Sequence, residues 1–410
     1  MLRMSTASPW PLAAEAVAAR GGASVDAMLA IVGELASDQY LGRGIGTPGG
    51  KAAAVWLAGQ LRDLGAAVAL DQFEAGGVKE LLATPVLTVG RRQLVHRRDF
   101  AEQLSSARLA PTSGPLVSAD ADSWRGGWIA VAAADAHAVA RAEAEQAAGL
   151  LVARGVDEAG WMPKMIAGPA MGKVAIVSVR ADLHAELAHT AGETVTGSVP
   201  MRTITATGTN VYGVFAEPLP GHISVLLTAH FDGVGDDPQQ RHPAAADNAS
   251  GVAVVLEAAR LVSARLPVGA GLAVALLDGE EVGARGSAHH APQVAPSTYV
   301  INVDGAAQLG DAAAVEAGGP AEPLLAAVDQ AGRRTGVPLR AGSMASDNRR
   351  YAAAGLAAIG IGMGMGMPGY QTPAETPDRV EARTLLAATD LVTATVDHLV
   401  KNSAQLGETP

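Results

Sequence analysis

Two hydrophobic patterns alternate in the second half of the sequence. Short continuous apolar runs, typical of buried strands, lie at residues 223–228, 272–277, 299–303 and 358–361. Apolar residues at helical spacing lie at residues 250–264 and 321–336. Strands that alternate with helices are typical of a largely parallel sheet covered on both faces. The pattern therefore predicts an α/β fold with a mostly parallel, mixed sheet sandwiched by helices.

The first half predicts a smaller unit inserted into this fold. Amphipathic helices are predicted at residues 25–37 and 51–64. From about residue 81 the sequence changes to short β-type runs, at residues 128–132 and 173–179, which flank an alanine-rich helix at residues 134–148. This region carries no cluster of chemically active side chains. We therefore expect residues 81–203 to form an inserted small α/β domain that acts as a lid or a substrate-binding module.

Composition narrows the range of partners and metal ligands. The chain has 410 residues and a formal net charge of −11, without a prominent basic run, which argues against nucleic acid or an anionic membrane surface as the main partner. It has no cysteine, so disulfides, thiolate metal sites and a cysteine nucleophile are excluded. His, Asp and Glu are then the only strong metal ligands that the chain offers.

The sequence predicts neither a membrane span nor a signal peptide. The longest apolar runs are far shorter than the roughly 20 residues that a membrane-spanning helix requires. Glu15 interrupts the alanine-rich stretch near the amino terminus, and no continuous apolar segment follows it. We therefore expect a cytoplasmic protein, or a secreted one if a leader precedes this sequence.

Acidic residues and a histidine follow the predicted strands, at the edge where a parallel sheet binds its ligands. They are His230 and Asp232 after the first strand, Asp278, Glu280 and Glu281 after the second, Asp304 after the third, and Asp247 before the helix at residues 250–264. Taken singly, His230 is also compatible with a buried hydrogen-bonded histidine, and Asp247 with a helix cap. An array of such residues at one edge indicates a bound cation.

Two short spacings in the sequence indicate different roles for these residues. His230 and Asp232 are one residue apart, so in an extended segment their side chains point the same way. The Asp232 carboxylate can then bind the second imidazole nitrogen and fix the tautomer of the ring. Glu280 and Glu281 are adjacent, which allows one carboxylate to hold a metal while the other moves a proton.

The order of these motifs resembles the M28 family of zinc aminopeptidases and carboxypeptidases. The matching motifs are His-x-Asp at 230–232, ADNASG at 246–251, DGEEVGARGS at 278–287, NVDG at 302–305 and YQTPAETPD at 370–378. Residues 36–50 are similar to the start of family members, and residues 81–203 look like the protease-associated domain that many members carry. The resemblance implies that residues 1–80 and 204–410 together form the catalytic domain.

The resemblance also implies a centre with one or two zinc ions. His230 and Asp304 would hold one zinc, and Asp247 would bridge the two ions. Glu281 would bind the second ion, with Gln371 at the position of its last ligand. Glu280 would be the general base. Tyr370 would donate to the developing oxyanion, although a packed tyrosine is an equal alternative.

The sequence departs from the family pattern at two places. Gln371 stands where the family usually has the histidine that completes the second zinc site, and a neutral amide oxygen is a poorer zinc ligand than imidazole. Occupancy of the second site is therefore open, and His242 is a candidate substitute. Asn348 stands in place of the histidine of Ser-Asp-His, and Arg349 follows it. Both are candidates for substrate contacts, a solvated surface position being the alternative for Arg349.

These features predict a zinc-dependent hydrolase that acts on a peptide or small amide with Glu280 as its base. Two alternatives stay open. One is a single-zinc amide hydrolase or an acyl transferase similar to the glutaminyl cyclases, and the other is a weakly active or non-catalytic peptide-binding relative. Glu280 favours an enzyme, because a protein that only binds needs no carboxylate beside a metal ligand. The sequence predicts neither the individual substrate nor the oligomeric state.

Overall fold

The structure is a computed structural model that describes residues 22–364 and 369–407, with side chains described as far as residue 401. The predicted absence of a signal peptide concerns residues 1–21, which lie outside the described residues.

The strands are arranged in two sheets. They are β1 (Ala67–Leu81), β2 (Val86–Val89), β3 (Arg92–Gln93), β4 (Phe100–Glu102), β5 (Leu109–Val117), β6 (Trp128–Val131), β7 (Gly149–Arg154), β8 (Ile176–Arg180), β9 (Thr194–Val199), β10 (Met201–Ala216), β11 (Ser224–His230), β12 (Gly271–Leu277), β13 (Thr298–Asp304), β14 (Ala313–Gly318), β15 (Leu339–Ala341) and β16 (Ala357–Gly362).

The helices vary in length from six to 26 residues. They are α1 (Val25–Leu35), α2 (Pro48–Asp63), α3 (Ala136–Ala144), α4 (Ala181–Ala188), α5 (Ser250–Ser263), α6 (Arg285–His290), α7 (Glu322–Thr335), α8 (Asn348–Ala353) and α9 (Ala382–Gly407). Short irregular helical turns lie at Asp38–Arg43, Ala245–Ala249, Ala291–Gln293 and Pro377–Arg379.

The first sheet has the strand order β1-β10-β12-β11-β13-β16-β14-β15. Its centre, from β12 to β16, is parallel. On one side, β10 pairs antiparallel with both β12 and β1. On the other side, β14 pairs antiparallel with β16 and parallel with the edge strand β15. This mixed sheet with a parallel centre confirms the predicted fold class, and the four strands predicted in the second half of the sequence are β11, β12, β13 and β16.

Helices cover both faces of the first sheet, which explains why its central strands are apolar throughout. Along β12, successive side chains point to opposite faces. Leu272, Val274 and Leu276 pack in the core formed with α1, α2, α5, α7 and α9. Ala273 and Ala275 face the other side, where the core includes residues of α8. The central strands are therefore buried on both faces.

The second sheet, of order β3-β2-β9-β5-β6-β7-β8-β4, is formed by strands between residues 86 and 199 and has core clusters of its own. We call residues 81–203 the second-sheet unit. The chain enters it along β1 and leaves it along β10, which pair antiparallel from Ala67 to Leu81. A single two-stranded ribbon therefore connects the unit covalently to the first sheet.

A buried ion cluster, Arg97, Glu102, Lys164 and Asp237, also joins the unit to the first sheet. Arg97 donates from Nε to Asp237 Oδ2 at 2.8 Å and from Nη2 to Glu102 Oε1 at 2.6 Å. Lys164 Nζ lies 3.2 Å from Asp237 Oδ1. Asp237 lies beyond the end of β11, whereas the other three residues belong to the second-sheet unit. Removing one member of such a buried pair is costly, because the partner charge stays buried.

In the part of the chain that the structure describes, no helix has both the length and the apolar character needed to cross a membrane.

Glu102→Gln is expected to lower the free energy of unfolding at pH 7 by on the order of 3 kcal/mol, because Arg97 loses a buried carboxylate partner. Burial would raise the pKa of Glu102, but Arg97 and His96 lower it from 4.5 to about 2. A carboxylate with a lowered pKa stabilises the fold fully above the pKa of the unfolded chain, and the effect disappears as the pH falls through the folded value. When unfolding is measured in urea, the difference in the free energy of unfolding between wild type and variant should shrink as the pH falls from 4.5 towards 2.

Glu80→Gln is the matched control, because Glu80 pairs with Arg202 at the surface. An exposed pair contributes about 1 kcal/mol or less. If the two variants lost the same amount of the free energy of unfolding at pH 7, the role assigned to the ion cluster would be wrong.

Candidate metal centre

The site begins at the carboxyl ends of β11 and β13, which are neighbours in the first sheet. β11 ends at His230 and β13 at Asp304. The two strands are parallel and Thr228 pairs with Asn302, so two residues later the histidine and the aspartate lie side by side. His230 Nε2 is 3.4 Å from Asp304 Oδ1. Two predicted ligands from separate strands therefore face the same point.

Asp247 reaches this point from the loop before α5. Its Oδ1 lies 3.0 Å from His230 Nε2, and one ligand atom from each of His230, Asp247 and Asp304 lies within 4.8 Å of the other two. Asn248 fixes the loop to the end of β13, since its Nδ2 donates to Val303 O at 2.9 Å and its Oδ1 accepts from the N–H of the residue after Asp304. The structure thus brings together three of the predicted ligands.

Asp232 connects the histidine to the two glutamates. The side chain is fully buried. Its Oδ1 lies 3.4 Å from His230 Nδ1, and its carboxylate accepts from the backbone N–H of Glu280 at 3.0 Å and of Glu281 at 3.2 Å. With Nδ1 facing acceptors, the neutral imidazole carries its proton there and presents Nε2 to Asp247 and Asp304.

Glu280 and Glu281 follow a tight turn at the end of β12. Gly279 in this turn has φ +75°, and a Cβ there would lie 2.8 Å from Ile45 Cδ1, so the turn requires glycine. Glu281 Oε2 accepts from Gln371 Nε2 at 2.5 Å. Its other oxygen, Oε1, is buried and has no hydrogen-bond partner among the described residues. A buried carboxylate oxygen without a donor is unfavourable unless a cation or a proton compensates it.

Burial makes Glu280, Glu281 and Asp247 harder to ionise, and the charges of neighbouring carboxylates add to this effect. Burial, and then the charges of Asp247 and Glu280, raise the pKa of Glu281 well above its ordinary value. Burial is also the main reason that the pKa values of Glu280 and Asp247 are raised. Burial would lower the pKa of His230, but nearby carboxylates, above all Asp304, raise it well above its ordinary value. The site is therefore built to accept positive charge.

The segment that carries Tyr370 and Gln371 lies between the site and the second-sheet unit. The Gln371 N–H donates to Glu375 Oε2 at 2.7 Å, and its carbonyl oxygen accepts from the Lys164 N–H at 2.9 Å. The side-chain Nε2 donates to Tyr370 Oη at 3.0 Å as well as to Glu281. Gln371 thus lies where the last ligand is predicted, but its side-chain nitrogen donates a hydrogen bond to Glu281.

Two buried residues that support the site were assigned no role by the sequence analysis. Glu375 Oε1 accepts from the Asp247 N–H at 2.6 Å, and Arg43 donates to the carbonyl oxygens of Phe231 and Ala244, each at 2.6 Å. They hold the backbone beside the ligands. Both lie within segments that carry the family resemblance, but a single charged residue in a loop does not reveal which backbone groups it binds.

The other predicted residues make their contacts outside the group of three ligands. His242 is buried at the ion cluster, with Nε2 3.9 Å from Asp237 Oδ2. Arg349 pairs with Glu316, with Nη2 2.8 Å from Oε1, and Asn348 Nδ2 lies 3.3 Å from Oε2 of the same glutamate. The structure therefore gives Arg349 an internal partner, and its contact with a substrate stays a prediction.

The donor set fits a divalent ion such as zinc. One imidazole nitrogen and two carboxylate oxygens are typical zinc ligands. Asp232 holds His230 in the way that metal-bound histidines are usually held, by an acceptor at the second ring nitrogen. The unpartnered oxygen of Glu281 is a further negative group beside them.

Comparisons with known proteins give a family and a fold. The model of Peptidase family M28 matches residues 210–396. No curated protein matches the chain. BSAP, a zinc aminopeptidase from Bacillus subtilis, has a TM-score of 0.70 at 20% identity, over 91% of this chain and 94% of that one.

Two further solved structures are similar. The aminopeptidase from Aneurinibacillus sp. strain AM-1 has a TM-score of 0.67 at 21% identity, over 91% of this chain and 93% of that one. The glutaminyl cyclase of Porphyromonas gingivalis has a TM-score of 0.51 at 16% identity, over 92% and 98%. At identities this low, structural similarity establishes the fold alone.

Asp232→Asn is expected to weaken zinc binding about 10–100-fold. The substitution loses an acceptor for the N–H groups of Glu280 and Glu281 and weakens the hold on His230. The dissociation constant is measured by competition with a zinc-binding dye at constant pH.

Asp71→Asn is the control for this measurement. Asp71 is a partly exposed carboxylate that pairs with His289, 3.0 Å from its Nε2, and it lies on β1, away from the three ligands. We expect the wild-type zinc affinity for this variant. Unchanged affinity in Asp232→Asn would show that the carboxylate does not orient the histidine.

Proposed function

Residues 210–396 of the chain belong to peptidase family M28, and from this membership we propose that the protein is a zinc-dependent hydrolase of the aminopeptidase type that cleaves a peptide or a small amide. The observation that carries the proposal is the convergence of His230, Asp247 and Asp304 on one point, with Glu280 beside them. Three ligands next to a carboxylate that is not among them provide both a metal site and a base.

The three converging side chains would hold the zinc. When bound, the ion supplies a Lewis acid that activates water and polarises the scissile carbonyl group. The protein's contribution is rigidity. His230 is oriented by Asp232, and the backbone of Asp247 is held by Glu375. Ligands fixed in this way need little rearrangement when the ion binds.

Glu280 is the general base in this proposal. Its backbone N–H donates to Asp232, which fixes the point from which the side chain extends. Burial, and then the charges of Asp347 and Asp304, raise its pKa well above the ordinary value of a glutamate. A stronger base takes a proton from the attacking water more readily, and the resulting acid can deliver that proton to the leaving amine.

Tyr370 is proposed to donate to the oxygen of the scissile carbonyl as it gains negative charge. The charge of Asp247, and then burial, raise the pKa of the phenol, so the hydroxyl keeps its proton at neutral pH. Its oxygen already accepts a hydrogen bond from Gln371 Nε2. The hydroxyl hydrogen is therefore left to donate to a substrate.

We propose that residues 81–203 are a protease-associated domain inserted between residues 1–80 and 204–410 of the catalytic domain. The entry along β1 and exit along β10 support an insert. The hydrogen bond from Lys164 to the carbonyl of Gln371 supports a role in shaping the substrate site. Met165 next to it is exposed and offers apolar contact. A cytoplasmic location stays a prediction from the sequence.

A second candidate is acyl transfer within a substrate that begins with glutamine. The observation that favours it is the group of three ligands, which suits chemistry at a single ion. The enzyme would then close the amino-terminal glutamine into a ring and release ammonia. Mass spectrometry of a glutaminyl peptide separates the candidates. Loss of ammonia without cleavage of a peptide bond would replace the hydrolase with this function.

Glu280→Gln is expected to lower kcat about 10²–10⁴-fold, because the amide cannot take the proton from water. The substrate is an aminoacyl p-nitroanilide, and zinc content is measured in the same preparation. We expect zinc content to stay at the wild-type value, since Glu280 is not among the three converging ligands.

Glu322→Gln, at the start of α7, is the control for removal of one negative charge. It should retain wild-type turnover. If Glu280→Gln also retained wild-type turnover, the assignment of the base would be wrong. If it lost its zinc, the separation of base and ligands would be wrong.

Tyr370→Phe is expected to lower kcat about 10²-fold, with a smaller change in KM, because the lost donor acts mainly on the transition state. Tyr299→Phe is the control, since Tyr299 lies near the amino-terminal end of β13, away from the ligands. An effect of Tyr370→Phe on KM alone would assign Tyr370 to substrate binding.

A further inference from the structure

We propose that the chain holds one zinc ion and not two, because the amide of Gln371 binds Glu281 as a hydrogen-bond donor and leaves a second ion without enough ligands. The inference rests on the proposed function, since it concerns the metal centre assigned there.

The amide of Gln371 uses both of its hydrogens. Nε2 donates to Glu281 Oε2 at 2.5 Å and to Tyr370 Oη at 3.0 Å. Reversing the amide would turn its oxygen towards the Glu281 carboxylate, so that two acceptors would face each other. Such a contact is unfavourable for a side chain that is 6% exposed. The amide nitrogen therefore faces Glu281, and an amide nitrogen that carries two hydrogens has no lone pair to give a metal.

The backbone of Gln371 holds the side chain in this direction. Its N–H donates to Glu375 Oε2 at 2.7 Å, and its carbonyl accepts from the Lys164 N–H at 2.9 Å. The residue lies in the left-handed region, with φ +54°. With both backbone polar groups bonded and the backbone dihedral fixed, the direction of the Cα–Cβ bond is fixed as well. The contact with Glu281 is therefore a consequence of the loop conformation.

Few ligand atoms are left to bind a second metal ion. Glu281 Oε1 has no partner among the described residues, and Asp247 has a second oxygen. The group of possible metal ligands in the described part of the chain contains His230, Asp247 and Asp304, without a glutamate. His242 lies instead at the ion cluster, 3.9 Å from Asp237. Zinc sites usually have about three or four protein ligands, with nitrogen or sulfur among them.

In a site with one ion, the hydrogen-bonded chain Glu281–Gln371–Tyr370 positions the Tyr370 hydroxyl group. Glu281 fixes the Gln371 amide, and the amide fixes the lone pair of the Tyr370 hydroxyl. Gln371 would then be a positioning residue for the proposed oxyanion donor instead of a ligand.

The test is the zinc content of the full chain, measured by mass spectrometry of the metal after dialysis against zinc and then against metal-free buffer. We expect about one zinc per wild-type chain, and about two for Gln371→His, which adds the imidazole that zinc sites favour. Histidine is also tolerated in the left-handed region. Gln371→Asn keeps an amide and is the matched control, with about one zinc expected. His230→Ala should bind none.

The outcomes separate this inference from the proposed function. Two zinc ions per wild-type chain would overturn the inference and leave the hydrolase in place. No zinc in the wild type would overturn both. One zinc in Gln371→His, with a wild-type circular dichroism spectrum, would show that Gln371 does not limit the second position. Zinc retained by His230→Ala would place the ion elsewhere.

Discussion

The site depends on holding several carboxylates close together where little water can reach them. Like charges repel strongly in such surroundings. The fold supplies an opposing charge in Arg43, which is fully buried. Burial lowers its pKa, and the charges of Glu375, Asp232 and Asp247 counteract that effect. Because its N–H groups are bonded to backbone carbonyl oxygens, the guanidinium offsets the acids from a fixed position and leaves the ligand oxygens to a metal.

The carboxylates of this centre have two roles. Asp247 and Asp304 present oxygens to His230. Asp232 and Glu375 bind backbone N–H groups, and so hold loops that lie far apart in the sequence. The position of a ligand is only as precise as the position of the loop that carries it. The carboxylates that bind the backbone therefore determine how precisely the ligands are placed. Charged residues near a metal centre therefore cannot all be taken for ligands.

The convergence of the ligands was predictable because parallel strands bring their carboxyl ends to one edge, and apolar runs of strand length reveal those ends. The orientation of Gln371 was not. Which end of the amide faces Glu281 depends on Tyr370 and on backbone contacts with the second-sheet unit. The ion cluster was equally hidden, since Arg97 and Asp237 are 140 residues apart and neither has a distinctive spacing.

The second-sheet unit is attached at the very segment that carries Tyr370. The Lys164 N–H binds the carbonyl of Gln371, while its ammonium group binds Asp237 in the ion cluster. One lysine therefore belongs to both the attachment of the unit and the wall of the site. A displacement of Lys164 would therefore disturb both contacts at once, so the position of the second-sheet unit and the path of the segment that carries Tyr370 depend on the same residue.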